Sequence, residues 1–315
     1  MRNAFMLHAE HSTHGSVADF LSDKLGRFGE FLDEVVLHGI IDTLKLVLFL
    51  FLTYLLMEFI EHKASERIKQ GMTRAGSLGP LIGAIFGAVP QCGFSAAAAN
   101  LYTGRVITLG TLIAVFLSTS DEMLPILVAG NMRIGKILLI ILYKCAVGIA
   151  IGFGIDLLLK LLKVKKEEIN IDEICDNDDC HCERGILRSA IHHTLSVSLF
   201  VLLVTMGVNA IVFFALDGIF SSSVFALPVV SHILSAVIGL IPNCASSVAL
   251  TRLAMAGVIS TGSMMSGLFA GAGVGLLILF KMNKRVKENL IITAILVCVG
   301  VIFGLLADLI GLSLI

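Results

Sequence analysis

Apolar runs about 20 residues long, each closed by a short polar or charged cluster, alternate along most of this chain. A helix of about 20 apolar residues crosses the hydrocarbon core of a bilayer. Uninterrupted runs of this kind predict membrane helices over 39–60, 135–162, 189–216, 258–280 and 290–312. Other runs are broken from within. Those at 77–102 and 224–253 carry Pro90 and Pro242, and one that starts near 106 meets Ser118, Thr119, Ser120, Asp121 and Glu122, then Pro125. Proline lacks a backbone N–H and crowds the preceding turn, so a proline inside an apolar run predicts two half-length helices. The pattern therefore predicts an all-α polytopic membrane protein with about ten membrane segments, some of them half-helices. Two stretches differ in character. Residues 1–36 are polar and amphipathic, with His8, His11 and His14, and read as a tail. Residues 163–187 form a hydrophilic loop. They separate a first membrane repeat, 37–162, from a second, 188–315.

The word repeat rests on the residues themselves. Positions 81–110 and 233–262 align without a gap. Each copy sets a proline, an amide and a cysteine in apolar surroundings, Pro90-Gln91-Cys92 and Pro242-Asn243-Cys244, and each has a serine three residues on, Ser95 and Ser247. At the same offset, positions 81–157 and 233–309 share 22 identities in 77 pairs. Chance would give about six at this composition, so the chain carries a duplicated architecture. The matches include Gly110 with Gly262, Asn131 with Asn283, Gly152 with Gly304 and Asp156 with Asp308.

Composition supports the membrane assignment. Of 315 residues, 57% are hydrophobic and 15% charged, where a soluble domain carries about 25% charged. The net charge of −1 says nothing about nucleic acid, but no basic stripe appears, so no nucleic-acid partner is expected. No apolar run follows the first residues as in a cleavable signal peptide, so none is expected. Of the seven cysteines, four lie in apolar segments and three in the 163–187 loop, which is not a secreted disulfide framework. Lysine and arginine placement sets the orientation. The connections at 62–76, 160–188 and 281–287 hold 4, 6 and 4 of them, against two and none at 128–136 and 214–229. With the richer loops cytoplasmic, both termini lie outside the cytoplasm and the two halves run in opposite senses. Inverted repeats with broken helices are a transporter architecture whose site lies near the midplane.

Three constellations could carry chemistry. At the paired breaks, released backbone groups can face a passing ion. Cys92 and Cys244 add soft sulfur there, and Gln91, Asn243, Ser95, Ser246 and Ser247 add oxygen. Thr119, Asp121 and Glu122 form the second, because acids inside an apolar run are costly to bury and their oxygens suit hard cations such as Mn²⁺. Their partners in the second half are Gly271, Gly273 and Val274, so the halves have diverged at this point. The third is Cys175, Asp176, Asp178, Asp179, Cys180, His181, Cys182 and Glu183 in the hydrophilic loop. In a reducing cytoplasm such a run binds metal in preference to forming disulfides, although its spacing defines no tetrahedral zinc site. Asp42 with Lys45 reads as a structural pair, Glu58 with His62 as a helix end, and His192, His193 and His232 as satisfied polar groups.

PQCGFSAAAANLY, the duplicated Pro-x-Cys breaks and the Cys/His/Asp loop resemble the ten-helix heavy-metal exporters, a branch also named as manganese transporters and related to the arsenical permeases. The resemblance covers about 37–312 and implies export of a metal or metalloid across a bacterial inner membrane. It carries over to Pro90, Cys92, Pro242 and Cys244. A second thiol of the arsenical permeases is missing, since Gly93-Phe94-Ser95 follows Cys92 and Ala245-Ser246-Ser247 follows Cys244. The sequence thus reads as an exporter of a divalent metal, Mn²⁺ foremost, with Asp121, Glu122, Cys92 and Cys244 as metal-facing residues and a trivalent arsenical as the alternative. No tightly bound cofactor is expected, and the pattern leaves room for a homo-oligomer. The chain contains no phosphate-binding loop, so coupling falls to protons or membrane potential. Neither a His-Glu-x-x-His nor a Gly-x-Ser-x-Gly motif supports an intramembrane enzyme, and a metal sensor would not need the duplicated broken core.

Overall fold

A computed structural model describes residues 40, 43–44, 47–48, 50–52, 54–55, 78–89, 92–120, 123–162, 191–192, 194–207, 228–242 and 244–312. Every regular element among them is a helix. The first half contains α1 (Gly79–Gly87), α2 (Cys92–Thr103), α3 (Leu109–Ser118), α4 (Met123–Ala129) and α5 (Ile134–Leu161). The second contains α6 (Pro228–Gly239), α7 (Cys244–Met255), α8 (Thr261–Ala270), α9 (Val274–Met282) and α10 (Val286–Leu309). An apolar helix at Thr194–Gly207 opens the second half. The expected N-terminal tail, the 163–187 loop, Asp42, Lys45, Glu58, Glu61, His62 and His193 lie outside the described residues.

Four stretches are long and apolar enough to cross a membrane among the described residues. Leu109–Ala129 and Thr261–Met282 are 69% and 83% buried, whereas Ile134–Leu161 and Val286–Leu309 are only 33% buried. The interrupted pairs α3–α4 and α8–α9 are therefore the inner layer, and the continuous α5 and α10 present leucine and isoleucine outward.

Small residues set how these helices run. Gly79 and Gly83 lie against Thr111, and Gly87 against Val115 and Ser118, so α1 and α3 are parallel. Gly152 meets Gly110 and Gly148 meets Ala114, so α5 is antiparallel to both. To link the end of α1 to the start of α3, α2 must return over its 12 residues, about 18 Å at 1.5 Å per residue. The stretch expected as 77–102 is thus a hairpin of two half-helices. In the second half Ser235 and Gly239 lie against Gly267, and Gly304 and Gly300 meet Gly262 and Ser266, in the same register.

The caps repeat as well. Asp156 Oδ1 accepts from Gly110 N–H at 3.0 Å and its Oδ2 from Thr108 at 2.7 Å, which closes the N-terminus of α3. Asp308 does the same for α8, with Gly262 at 2.6 Å and Ser260 at 2.5 Å. A Cβ at Gly110 or Gly262 would collide with the Gly152 or Gly304 carbonyl and with the capping aspartate, which explains why both glycines and both aspartates match in sequence. His232, where the first half has Pro80, lies 3.2 Å from Asp308 Oδ2 and 3.3 Å from Ser263 Oγ.

One difference from the sequence expectation concerns 258–280, which reads as a single span. The structure divides it into α8 and α9 at Gly271–Gly273, where Gly273 adopts φ 54°, a left-handed conformation that glycine tolerates. The second half thus has a break at the position of Thr119–Asp121 in the first, built from Gly-Ala-Gly instead of polar residues.

The halves interlock. Ser95 of α2 packs on Gly275 of α9, Tyr54 bridges Asn100 of α2 and Met282 of α9, and Gly130 after α4 meets Met255 of α7. At the end of α2, Arg105 forms a two-pronged ion pair with Glu288 of α10, at 3.0 and 3.2 Å, and Tyr102 O–H donates to the same carboxylate. Arg105 (φ 58°) and its counterpart Gly257 (φ 71°) both close a helix in the left-handed turn, with Val106 N–H reaching Leu101 O and Val258 N–H reaching Leu253 O. A non-glycine residue there costs about 1–2 kcal/mol. Glycine at 105 should therefore recover about 1 kcal/mol of the stability that alanine at 105 loses, because both remove the ion pair and only glycine removes the strain. Unfolding temperatures of Arg105→Gly and Arg105→Ala in detergent check this; equal losses would show that the left-handed turn carries no strain.

Candidate functional site

Four helices end at one level: α1 at Gly87, α3 at Ser118, α6 at Gly239 and α8 at Ala270. Each helix end leaves carbonyls without an intrahelical partner, which in a membrane interior must be satisfied by protein. In the first half, hydroxyls cluster at these ends, beside the Thr119 N–H that already reaches Val115 O. Ser118 Oγ donates to Ala114 O at 2.8 Å and Thr119 Oγ1 to Val115 O at 2.8 Å. Ser120 Oγ donates to Ala88 O at 2.8 Å, which joins the two breaks of that half directly. Phe86 and Phe94 stack across the first break with centroids 5.6 Å apart. In the second half, Ser246 Oγ donates to Ile241 O at 3.3 Å, and Gly271 lies against Gly239 O.

Between the halves these breaks enclose a small cleft. Thr119 and Ser120 form one wall, and Ser246 and Ser247, from the first turn of α7, another. Gly267 and Leu268, at the end of α8, and Gly271 and Gly273 in the following break complete it. The space suits about one water-sized species. Its described lining offers hydroxyls and backbone, which are hard donors.

The residues expected from sequence distribute around this cleft as follows. Thr119, Ser246 and Ser247 line it. Ser95 is buried against Gly275, on the neighbouring α2–α9 contact. Pro242 is half-buried in the turn before α7, and Cys92 and Cys244 are the first residues of α2 and α7. Pro90, Gln91, Asp121, Glu122 and Asn243 lie outside the described residues, as do Cys175, Asp176, Asp178, Asp179, Cys180, His181, Cys182 and Glu183.

Sequence reasoning missed four contributors. Ser120 was passed over between Thr119 and Asp121, although its hydroxyl joins the breaks. Gly271 and Gly273, the divergent counterparts of Thr119 and Asp121, form the opposite wall. Lys144, inside the predicted 135–162 span, is the last. It is fully buried on α5, its Nζ donates to Leu268 O at 2.9 Å, and it lies 5.4 Å from the centre of the Phe269 ring. The signal was present, because a lysine inside an apolar run is costly and marks a functional position.

A family described as "Putative, 10TM heavy-metal exporter" matches residues 32–227. The chain belongs to this family. The match spans the whole first half, with its two breaks, and ends just before α6; the duplicated caps and breaks carry the same architecture through the rest. As a member of the 10TM heavy-metal exporter family, the protein is a multi-pass membrane protein with a metal as its class of substrate. No curated protein and no solved structure matches the chain.

A cleft this small tolerates little added volume. Ser247→Leu should abolish export at wild-type abundance, while Ser247→Thr, which keeps the hydroxyl, should retain most of it. Efflux from cells with matched membrane levels of each variant measures this, and normal efflux with leucine would place the pathway elsewhere.

Proposed function

We propose that the protein exports a divalent transition metal, Mn²⁺ foremost, from the cytoplasm by alternating access around the cleft between its two sets of helix breaks. The observation that carries this reading is the donor set. Thr119 and Ser120 line the cleft from the first half and Ser246 and Ser247 from the second, and the chain continues from Ser120 directly into Asp121 and Glu122. Oxygen-rich sites suit hard cations, whereas a trivalent arsenical asks for several thiolates. Each break contributes a single cysteine.

The two halves are inverted repeats in this reading, related by an axis in the membrane plane. Reciprocal contacts support it, since α2 packs on α9 and α4 on α7, the pattern that two-fold related parts produce. The Glu288 end of α10 meets the Arg105 end of α2, so the capped start of α3 and the capped start of α8 fall at opposite ends of the bundle. With the lysine-rich connections in the cytoplasm, both termini are extracytoplasmic, as suits a bacterial inner membrane. Transport draws on protons or membrane potential, and the protein works as a permease without enzymatic activity.

The two substrates respond oppositely to mutation. Asp121→Asn should abolish manganese efflux, and Cys92→Ser should only reduce it, since serine keeps an oxygen at the break. Cellular manganese in a deletion strain, with each variant at matched abundance, decides the matter. Normal export by Asp121→Asn, with Cys92→Ser inactive and arsenite resistance lost, would replace the manganese reading by the arsenical one. The Cys/His loop serves in regulation or capture. Replacing Cys175, Cys180, His181 and Cys182 together should leave efflux in place and change its dependence on cytosolic metal; complete loss in a stably expressed protein would make the loop part of the pathway.

A further inference from the structure

A lysine in the interior of a membrane bundle is retained only where its charge is used. Lys144 lies on α5 of the first half and is fully buried, yet its Nζ reaches across to Leu268 O of α8 in the second half, at 2.9 Å. Leu268 belongs to the last turn of α8 and lines the cleft. The C-terminal end of a helix carries partial negative charge on its free carbonyls, and such ends coordinate cations in broken-helix transporters. The ammonium therefore sits at the cation-attracting end of α8, directly behind the cleft. The first half has no equivalent. Leu296 stands at the matching position of α10, and the Ser118 and Thr119 hydroxyls near the matching end of α3 donate to Ala114 O and Val115 O. The Phe269 ring beside Nζ supports a charged group at this place.

We infer that Lys144 sets the affinity of the cleft for its metal, as a resident positive charge that keeps a divalent cation bound weakly enough to leave. This rests on the reading of the cleft as a cation site. A site that serves transport must bind strongly enough to load and weakly enough to release. In a protein interior of effective dielectric constant about 20, a unit charge close to a divalent ion is enough to change affinity by more than tenfold. Lys144 is in this sense an affinity-determining residue that acts without being a ligand.

The test separates charge from hydrogen bonding. Lys144→Gln keeps a donor for Leu268 O and removes the charge, Lys144→Met removes both, and Lys144→Arg keeps both. Mn²⁺, Co²⁺ and Zn²⁺ are titrated into the purified full-length variants, and Mn²⁺ efflux is measured in proteoliposomes. Lys144→Gln should bind Mn²⁺ at least about tenfold more tightly than wild type, with KM and kcat both lowered. Lys144→Arg should stay near wild type. Should Lys144→Met not fold, the glutamine and arginine variants carry the comparison. Metal binding by the wild type with equal or weaker binding by Lys144→Gln overturns the inference alone. A wild-type protein that takes up none of the three cations removes the cation reading, and the inference with it.

Discussion

Backbone groups released by a helix break inside a bilayer have to find partners within the protein, and this requirement organises the molecule. The chain breaks its helices at several points, and the structure gathers those ends at one level where they satisfy one another. Ser120 closes Ala88 O, so the second break of the first half caps the first. Ser246 closes Ile241 O within the hairpin of the second half. Scattered along the bundle, each break would cost several kcal/mol of unpaired polar groups. Gathered together, the breaks form a small cleft lined by serine, threonine, glycine and the Leu268 backbone.

Gathering the breaks demands close helix packing, and the glycines supply it. Without a hydrophobic force between helices in lipid, small residues let backbones approach and van der Waals contact do the rest. Gly110 against Gly152 and Gly262 against Gly304 bring α3 to α5 and α8 to α10 near enough for an aspartate on the long helix to cap the short one. The cap holds the outer end of each interrupted helix, and the break defines its inner end. A half-helix so held at both ends presents its last carbonyls at a fixed depth.

Much of this was legible in the sequence. Length and hydropathy identify the spans, Pro90 and Pro242 the hairpins, and the matched glycines and aspartates the repeat. The break at Gly271–Gly273 was not legible by the same criteria. Its residues are small and apolar enough to sit within a hydropathy run, and only the left-handed φ of Gly273 shows that the helix stops. Lys144 was visible as an oddity, but its role depends on a contact across 124 residues of sequence, which no local pattern encodes. The hydroxyls divide in the same way. Ser246 and Ser247 could be found from their place after Pro242, while Ser95, the partner of Ser247 in the repeat, is turned by the interlocking of α2 and α9 onto Gly275.

Duplication alone would give a symmetric pathway with the same affinity toward both faces. The residues that break the symmetry are therefore the ones that can give it a direction. They fall at three depths. At one end Arg105 grips Glu288, where the repeat has Gly257 and Lys136. At the other end His232 joins the Asp308 cap, where the repeat has Pro80. At the centre Lys144 faces the end of α8, where the repeat has Leu296, and Asp121 follows Ser120, where the repeat has Gly273. Arg105, His232, Lys144 and Asp121 add a charged or titratable group to one half only, and Glu288 is opposite in charge to its counterpart Lys136. The duplicated caps and glycines give both halves the same local scaffold, and a few substitutions distinguish one half from the other. A transporter that must load from one side and release to the other needs that combination, a scaffold indifferent to direction and a small set of charges that is not.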